Sequence, residues 1–119
     1  MAYILNAEER DIANLVRTFM EREIQPYVAE YDRNGEYPAE LYQKAFDMGI
    51  QMIAIPEEFG GFGFSTVAVC AILEEMTRID AGFGTSLSAI NLGILPILRH
   101  GNDEQKRHVA EVVGAGNFA

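Results

Sequence analysis

Residues 81–98, between Asp80 and Arg99, form a run of 18 positions without a charged side chain. A helix of that length approaches the thickness of a bilayer's hydrocarbon core, so the run raises the question of a membrane span. Gly82, Gly84, Thr85, Ser86, Ser88, Asn91, Gly93 and Pro96 make it too polar for a lipid-facing helix. It reads instead as the core helix of a globular domain, over residues 82–100, apolar nearly all round and buried on most sides. Such a helix needs other helices to cover it.

The rest of the chain supplies them. From Asn6 to about Asn34, apolar residues recur as Ile12, Leu15, Val16, Phe19, Met20, Ile24, Tyr27, Val28 and Tyr31, the three-and-four spacing of one helical face. Asn6 and Glu9 fit a capping box at its start, Pro26 predicts a kink, and Asn34-Gly35 supplies the stop. Pro38 at a first helical position and Gly49 as a C-terminal cap bracket a second helix that buries Leu41, Tyr42, Ala45 and Phe46. Residues 50–56 read as extended chain, followed by a glycine-rich loop over 57–64. Ser65 or Thr66 caps a third helix with Val69, Ile72, Leu73, Met76 and Ile79 on one face, ended by Asp80-Ala81-Gly82. Asn102 and Gln105 form a second capping box and open a last helix that stops near Gly114. The expected fold is all-α, a five-helix, bundle-like orthogonal domain with one glycine-rich loop.

The chain has 119 residues, 18 Asp plus Glu against 9 Lys plus Arg, and a net charge of −9. That length allows one domain with a real core and is short for a whole enzyme. The acidic excess argues against a nucleic-acid surface and against docking on anionic lipid, because both need clustered cations. The single cysteine, Cys70, excludes an internal disulfide and fits a reducing compartment; it reads as a small packed hydrophobe. No basic, apolar leader precedes Asn6, which favours a bacterial cytoplasm.

Several chemical patterns fail on spacing. Asp32-Arg33-Asn34-Gly35-Glu36 resembles a calcium loop, but its glycine is fourth where the sixth is needed. Gly60-Gly61-Phe62-Gly63 has neither the glycine spacing nor the strand-helix setting of a dinucleotide fingerprint. His100, Glu104 and His108 are four apart, yet Gly101-Asn102 breaks the helix between them, so no metal site is expected. Glu74-Glu75 with Arg78 reads as a surface ion pair. No catalytic residue is expected in the chain.

Two features remain. Phe62 and Phe64 stand in a glycine-rich loop with no helical face to join, so they fill a crevice or make an exposed patch. Gly84, Thr85, Ser88, Ala89 and Gly93 leave room beside the fourth helix, either for another helix or for an apolar ligand tunnel.

Four segments then carry a family resemblance: Glu30-Tyr31-Asp32, Gly35-Glu36-Tyr37-Pro38, Ile55-Pro56-Glu57-Glu58-Phe59-Gly60-Gly61-Phe62-Gly63, and Gly101-Asn102-Asp103-Glu104-Gln105-Lys106. In order and spacing the chain resembles the N-terminal helical domain of acyl-CoA dehydrogenases, most closely the short- and medium-chain fatty-acyl enzymes. The resemblance covers residues 1–119 as one such domain. It implies a parent about three times as long, with a middle β domain and a C-terminal helical domain, assembled as a homo-oligomer, a tetramer.

The resemblance also implies chemistry. Family members oxidise fatty acyl-CoA across the α,β bond, a carboxylate taking the α proton and FAD the β hydride. The catalytic carboxylate and the flavin-binding motif would lie beyond Ala119, so no cofactor-binding residue is assigned here and the fragment alone is expected to be inactive. The family's acyl-tail wall maps onto Thr85, Ser88, Ala89 and Leu92. Some relatives carry a glutamate where this chain has Ser88, so a deeper tunnel is expected. Docking of electron-transferring flavoprotein maps onto Ile12, Ile50, Phe62, Phe64 and Ile72. A free-standing interaction module of the same fold, or part of an acyl-CoA oxidase or nitroalkane oxidase, is the alternative.

Overall fold

A computed structural model describes residues 4–116. It contains α1 (Ala7–Phe19), α2 (Gln25–Asn34), α3 (Ala39–Asp47), α4 (Thr66–Ile79), α5 (Ala81–His100) and α6 (Asp103–Gly114). Among the described residues there is no strand. The all-α expectation holds, and its five helices are present, because α1 and α2 are halves of one helical rod.

Their junction is a wider π-helical turn, Met20–Ile24. Pro26 has no N–H, and its ring crowds the carbonyl of Arg22 four residues back. The chain accommodates it by widening one turn earlier, where Gln25 N–H bonds to Met20 O, five residues back. The kink expected at Pro26 is thus a distortion ahead of it. Both capping boxes, Asn6 with Glu9 and Asn102 with Gln105, are formed. Asp80 acts twice, ending α4 and capping α5 by accepting a 2.7 Å bond from Phe83 N. The expected start of α5 at Gly82 therefore moves to Ala81. Pro38 is the residue before α3, one position earlier than expected.

The domain measures 43 × 36 × 20 Å, two helix layers thick. The main core lies where α1, the π turn, α3, α4 and α5 meet, around Met20, Ile24, Ile72 and Met76. A second core joins Ile55, Ile94, Ala110 and Val113 beneath α6. Leu15 and Tyr27, placed on the buried face by periodicity, are exposed. Leu15 falls at the solvent edge of its stripe, and the Tyr27 ring carries the Lys44 ammonium 5.5 Å from its centroid.

Three further expectations are corrected. Residues 50–56 are not extended, because no partner strand exists for Ile50, Ile53 and Ile55; they coil into the short 3-10 helix Ile50–Met52 and a turn. Cys70 is exposed, because α4 turns Ala68, Ala71, Ile72 and Met76 inward and position 70 falls opposite. Helix α5 is long and apolar enough to cross a membrane by composition, yet only 22% of its apolar window is buried. In a plate two helices thick, its second face has no neighbour to meet.

Candidate functional site

The inner face of α5 is Phe83, Gly84, Leu87, Asn91 and Ile94. Gly84 makes that packing possible: a Cβ there would stand 3.0 Å from Thr77 N and overlap the Thr77 methyl, so α4 and α5 touch only because it is absent. The small residues of α5 therefore divide. Gly84 serves helix packing, while Thr85, Ala89 and Gly93 face solvent.

The outer face continues through Leu92, which is 73% exposed. Thr85, Ser88, Ala89 and Leu92 fall at i, i+3, i+4 and i+7, one stripe of the helix, with Ser88 half-buried at its edge. Both serine hydroxyls on this helix are satisfied internally: Ser88 Oγ donates to Thr85 O at 2.8 Å, and Ser86 Oγ to Gly82 O at 2.9 Å. The stripe thus presents an uncharged surface with few donors, suited to hydrocarbon.

The glycine-rich loop is pinned to the segment before it. Phe62 N donates to Met52 O (3.1 Å), Gly63 N to Ile55 O (2.9 Å) and Phe64 N to Ile53 O (3.0 Å). The two rings stack 5.4 Å apart at 17°. Phe64 leans onto the main core, as does Ile12, while Ile50 and Ile72 lie inside it. Phe62 is 46% exposed and Ile72 only 1%. Of the five residues expected to dock a partner, Ile50 and Ile72 are buried in the main core, Ile12 and Phe64 pack against it, and Phe62, stacked on Phe64, is the exposed one. Phe62 and Phe64 do both things open to them, one filling a crevice and one making a patch.

This loop does not fit a dinucleotide or coenzyme diphosphate. The N–H groups of residues 60–64 are all spent on carbonyls of residues 52–57, and Glu57 and Glu58 add negative charge beside them. Among the described residues no cluster of three or more His, Cys, Asp or Glu could hold a metal ion. His100 and His108 stand on different helices, separated by Gly101 in extended conformation.

One charged cluster escaped sequence reading. Glu75 on α4 accepts from Arg17 Nη2 (2.6 Å) and Nε (2.9 Å) on α1, and from Arg78 Nε (3.2 Å), which in turn pairs with Glu21 (3.1 Å). Hydrogen bonds from Arg17 hold the Glu75 carboxyl below its ordinary range, against the opposing effect of burial. The Glu75–Arg78 pair was legible as i,i+3; Arg17 and Glu21 were not. The network clamps α1 to α4, and a shallow open cleft lined by Arg10, Asn14, Arg17, Glu74 and Glu75 lies beside it.

Residues 6–117 match the family described as acyl-CoA dehydrogenase, N-terminal domain. Among curated relatives, the probable acyl-CoA dehydrogenase FadE25 of Mycobacterium tuberculosis is 32% identical over 111 residues, covering 93% of this chain and 28% of the relative. The probable acyl-CoA dehydrogenase YngJ of Bacillus subtilis is 32% identical over 108 residues, covering 90% and 28%. Butyryl-CoA dehydrogenase from Megasphaera elsdenii superposes with a TM-score of 0.84 at 29% identity, over 98% of this chain and 32% of that one. A chain in the structure of the electron transferring flavoprotein of Acidaminococcus fermentans superposes at 0.85 and 30% identity, over 98% and 31%. The chain thus spans less than a third of the length of these relatives. It belongs to the acyl-CoA dehydrogenase family, as that family's N-terminal helical domain.

Proposed function

We propose that this domain serves an FAD-dependent acyl-CoA dehydrogenase in two ways, as a wall of the acyl-tail tunnel and as a docking surface for electron-transferring flavoprotein. Thr85, Ser88, Ala89 and Leu92 form the wall; Phe62 and Phe64, over Ile12, Ile50 and Ile72, form the docking surface. The observation that carries the reading is the outer stripe of α5, where a leucine 73% exposed stands among uncharged small residues. Hydrocarbon is the chemistry such a stripe accepts. The flavin and the phosphates of coenzyme A are held by other domains, in keeping with the net charge of −9 and the spent N–H groups of the glycine loop. A bacterial cytoplasmic, tetrameric parent completes the reading, and the relatives named above are themselves bacterial.

The wall is tested in the full-length enzyme with Ser88→Glu. Turnover measured across acyl chain lengths is expected to lose its longest substrates while short ones are still oxidised. An unchanged profile would remove the wall from this helix.

A further inference from the structure

Gly49 closes α3 with φ +85°, and what lies over its bare Cα is the Phe62 ring. A Cβ at Gly49 would stand 2.9 Å from Phe62 Cε2 and 3.1 Å from Cζ, and apart from its chain neighbours no other described residue would come within 4 Å of it. Those distances are shorter than ordinary carbon contact, so the ring could not stay where it is. Phe62 is also held by its backbone bond to Met52 O and by the stack on Phe64. The backbone bond leaves the side-chain torsions free, and the stack constrains the ring through its face. The seat on Gly49 constrains it at the ring edge furthest from the backbone.

We infer that Gly49 is the positioning residue of the docking surface: by presenting no side chain it lets the far edge of the half-exposed Phe62 ring rest against the end of α3, preset for a partner. The inference rests on the docking reading given above. A ring already seated loses little rotamer freedom when a partner covers it, and aromatic anchors of this kind carry a large share of interface energy. Gly49 touches no partner itself. Its effect passes through Phe62 alone.

The test uses the full-length enzyme with electron-transferring flavoprotein as acceptor, and a small dye acceptor as control. Gly49→Ala is expected to raise the KM for the flavoprotein about tenfold, leaving dye-coupled kcat and the KM for acyl-CoA unchanged. Gly49→Asn keeps the Cβ but tolerates positive φ, so it separates ring displacement from backbone strain and is expected to act alike. In a Phe62→Ala background, substituting Gly49 should add nothing. If a folded Gly49→Asn enzyme keeps its KM for the flavoprotein while Phe62→Ala raises it, the role of Gly49 is overturned and docking stands. If Phe62→Ala itself leaves that KM unchanged, the docking reading falls.

Discussion

Ser65 Oγ donates a 2.9 Å hydrogen bond to Glu9 Oε1, joining the first turn of α4 to the first turn of α1 across 56 residues of sequence. Each partner is already a cap. Ser65 Oγ accepts from Ala68 N at 3.1 Å, and Glu9 Oε2 accepts from Asn6 N at 3.0 Å. One carboxylate therefore ties two helix starts, at the point where the chain leaves the aromatic loop.

Ser65→Ala removes a helix cap and the tie together, and should lower stability by about 1–2 kcal/mol, toward the upper end of the range for caps. Ser65→Thr keeps the hydroxyl and should lose far less. Ser65→Asp keeps a cap but sets a second carboxylate against Glu9, so it should fall between them. Urea midpoints of the three variants decide the matter; equal losses for Thr and Ala would show that the hydroxyl is not what matters.

The Glu75 network predicts a pH dependence. A carboxyl whose folded pKa lies below its unfolded value, about 4.3 for glutamate, adds stability that is complete above that unfolded value. The contribution is lost as pH falls through the lower, folded value. Wild type and Glu75→Gln should thus differ most near neutrality and converge in acid. Added salt should shrink the neutral-pH difference, since both arginines are half-exposed. A difference that widened in acid would contradict the assignment.

Gly84→Ala tests how closely α4 and α5 approach. Alanine favours helix by up to about 1 kcal/mol over glycine, so at an open site the change would stabilise. Here the new methyl meets the Thr77 backbone, and overpacking of that kind costs about 1–3 kcal/mol. A net loss in thermal stability is expected. Adding Thr77→Ser removes the threonine methyl and should recover only part of it, because Thr77 N and Cα remain in the way.

What the sequence made legible was local. Asn6 with Glu9, Asn102 with Gln105, and Ser65 as a cap are decided within one helical turn, and each is found in place. Residues 50–56 carry strand propensity at Ile50, Ile53 and Ile55, which means little without a partner strand. Their conformation is set instead by bonds from residues 62–64, outside any local window. The bond between Ser65 and Glu9 and the pairing of Arg17 with Glu75 were hidden for the same reason. Composition implied that α5 is enclosed; how many neighbours surround it is a property of the assembled layers. Among the acyl-tail and docking residues, Thr85, Ser88, Ala89, Phe62 and Phe64 stand out on their own chemistry, whereas Leu92, Ile12, Ile50 and Ile72 come from family resemblance alone.

That unenclosed face of α5 makes the last prediction. Leu92 is 73% exposed, so Leu92→Gln should change the stability of this domain by no more than about 0.5 kcal/mol. If α5 is the tunnel wall proposed above, the acyl tail covers the same side chain in the full-length enzyme, and burying a leucine contributes about 1.5–3 kcal/mol. The KM should therefore rise roughly tenfold to a hundredfold for substrates long enough to reach Leu92, and stay put for shorter ones. Placement of the effect along the chain-length series then measures how far the tail runs along the helix, since Thr85 and Leu92 are separated by about 10 Å of helical rise. A uniform rise in KM for every chain length would mean that Leu92 acts on the fold and not on the tail.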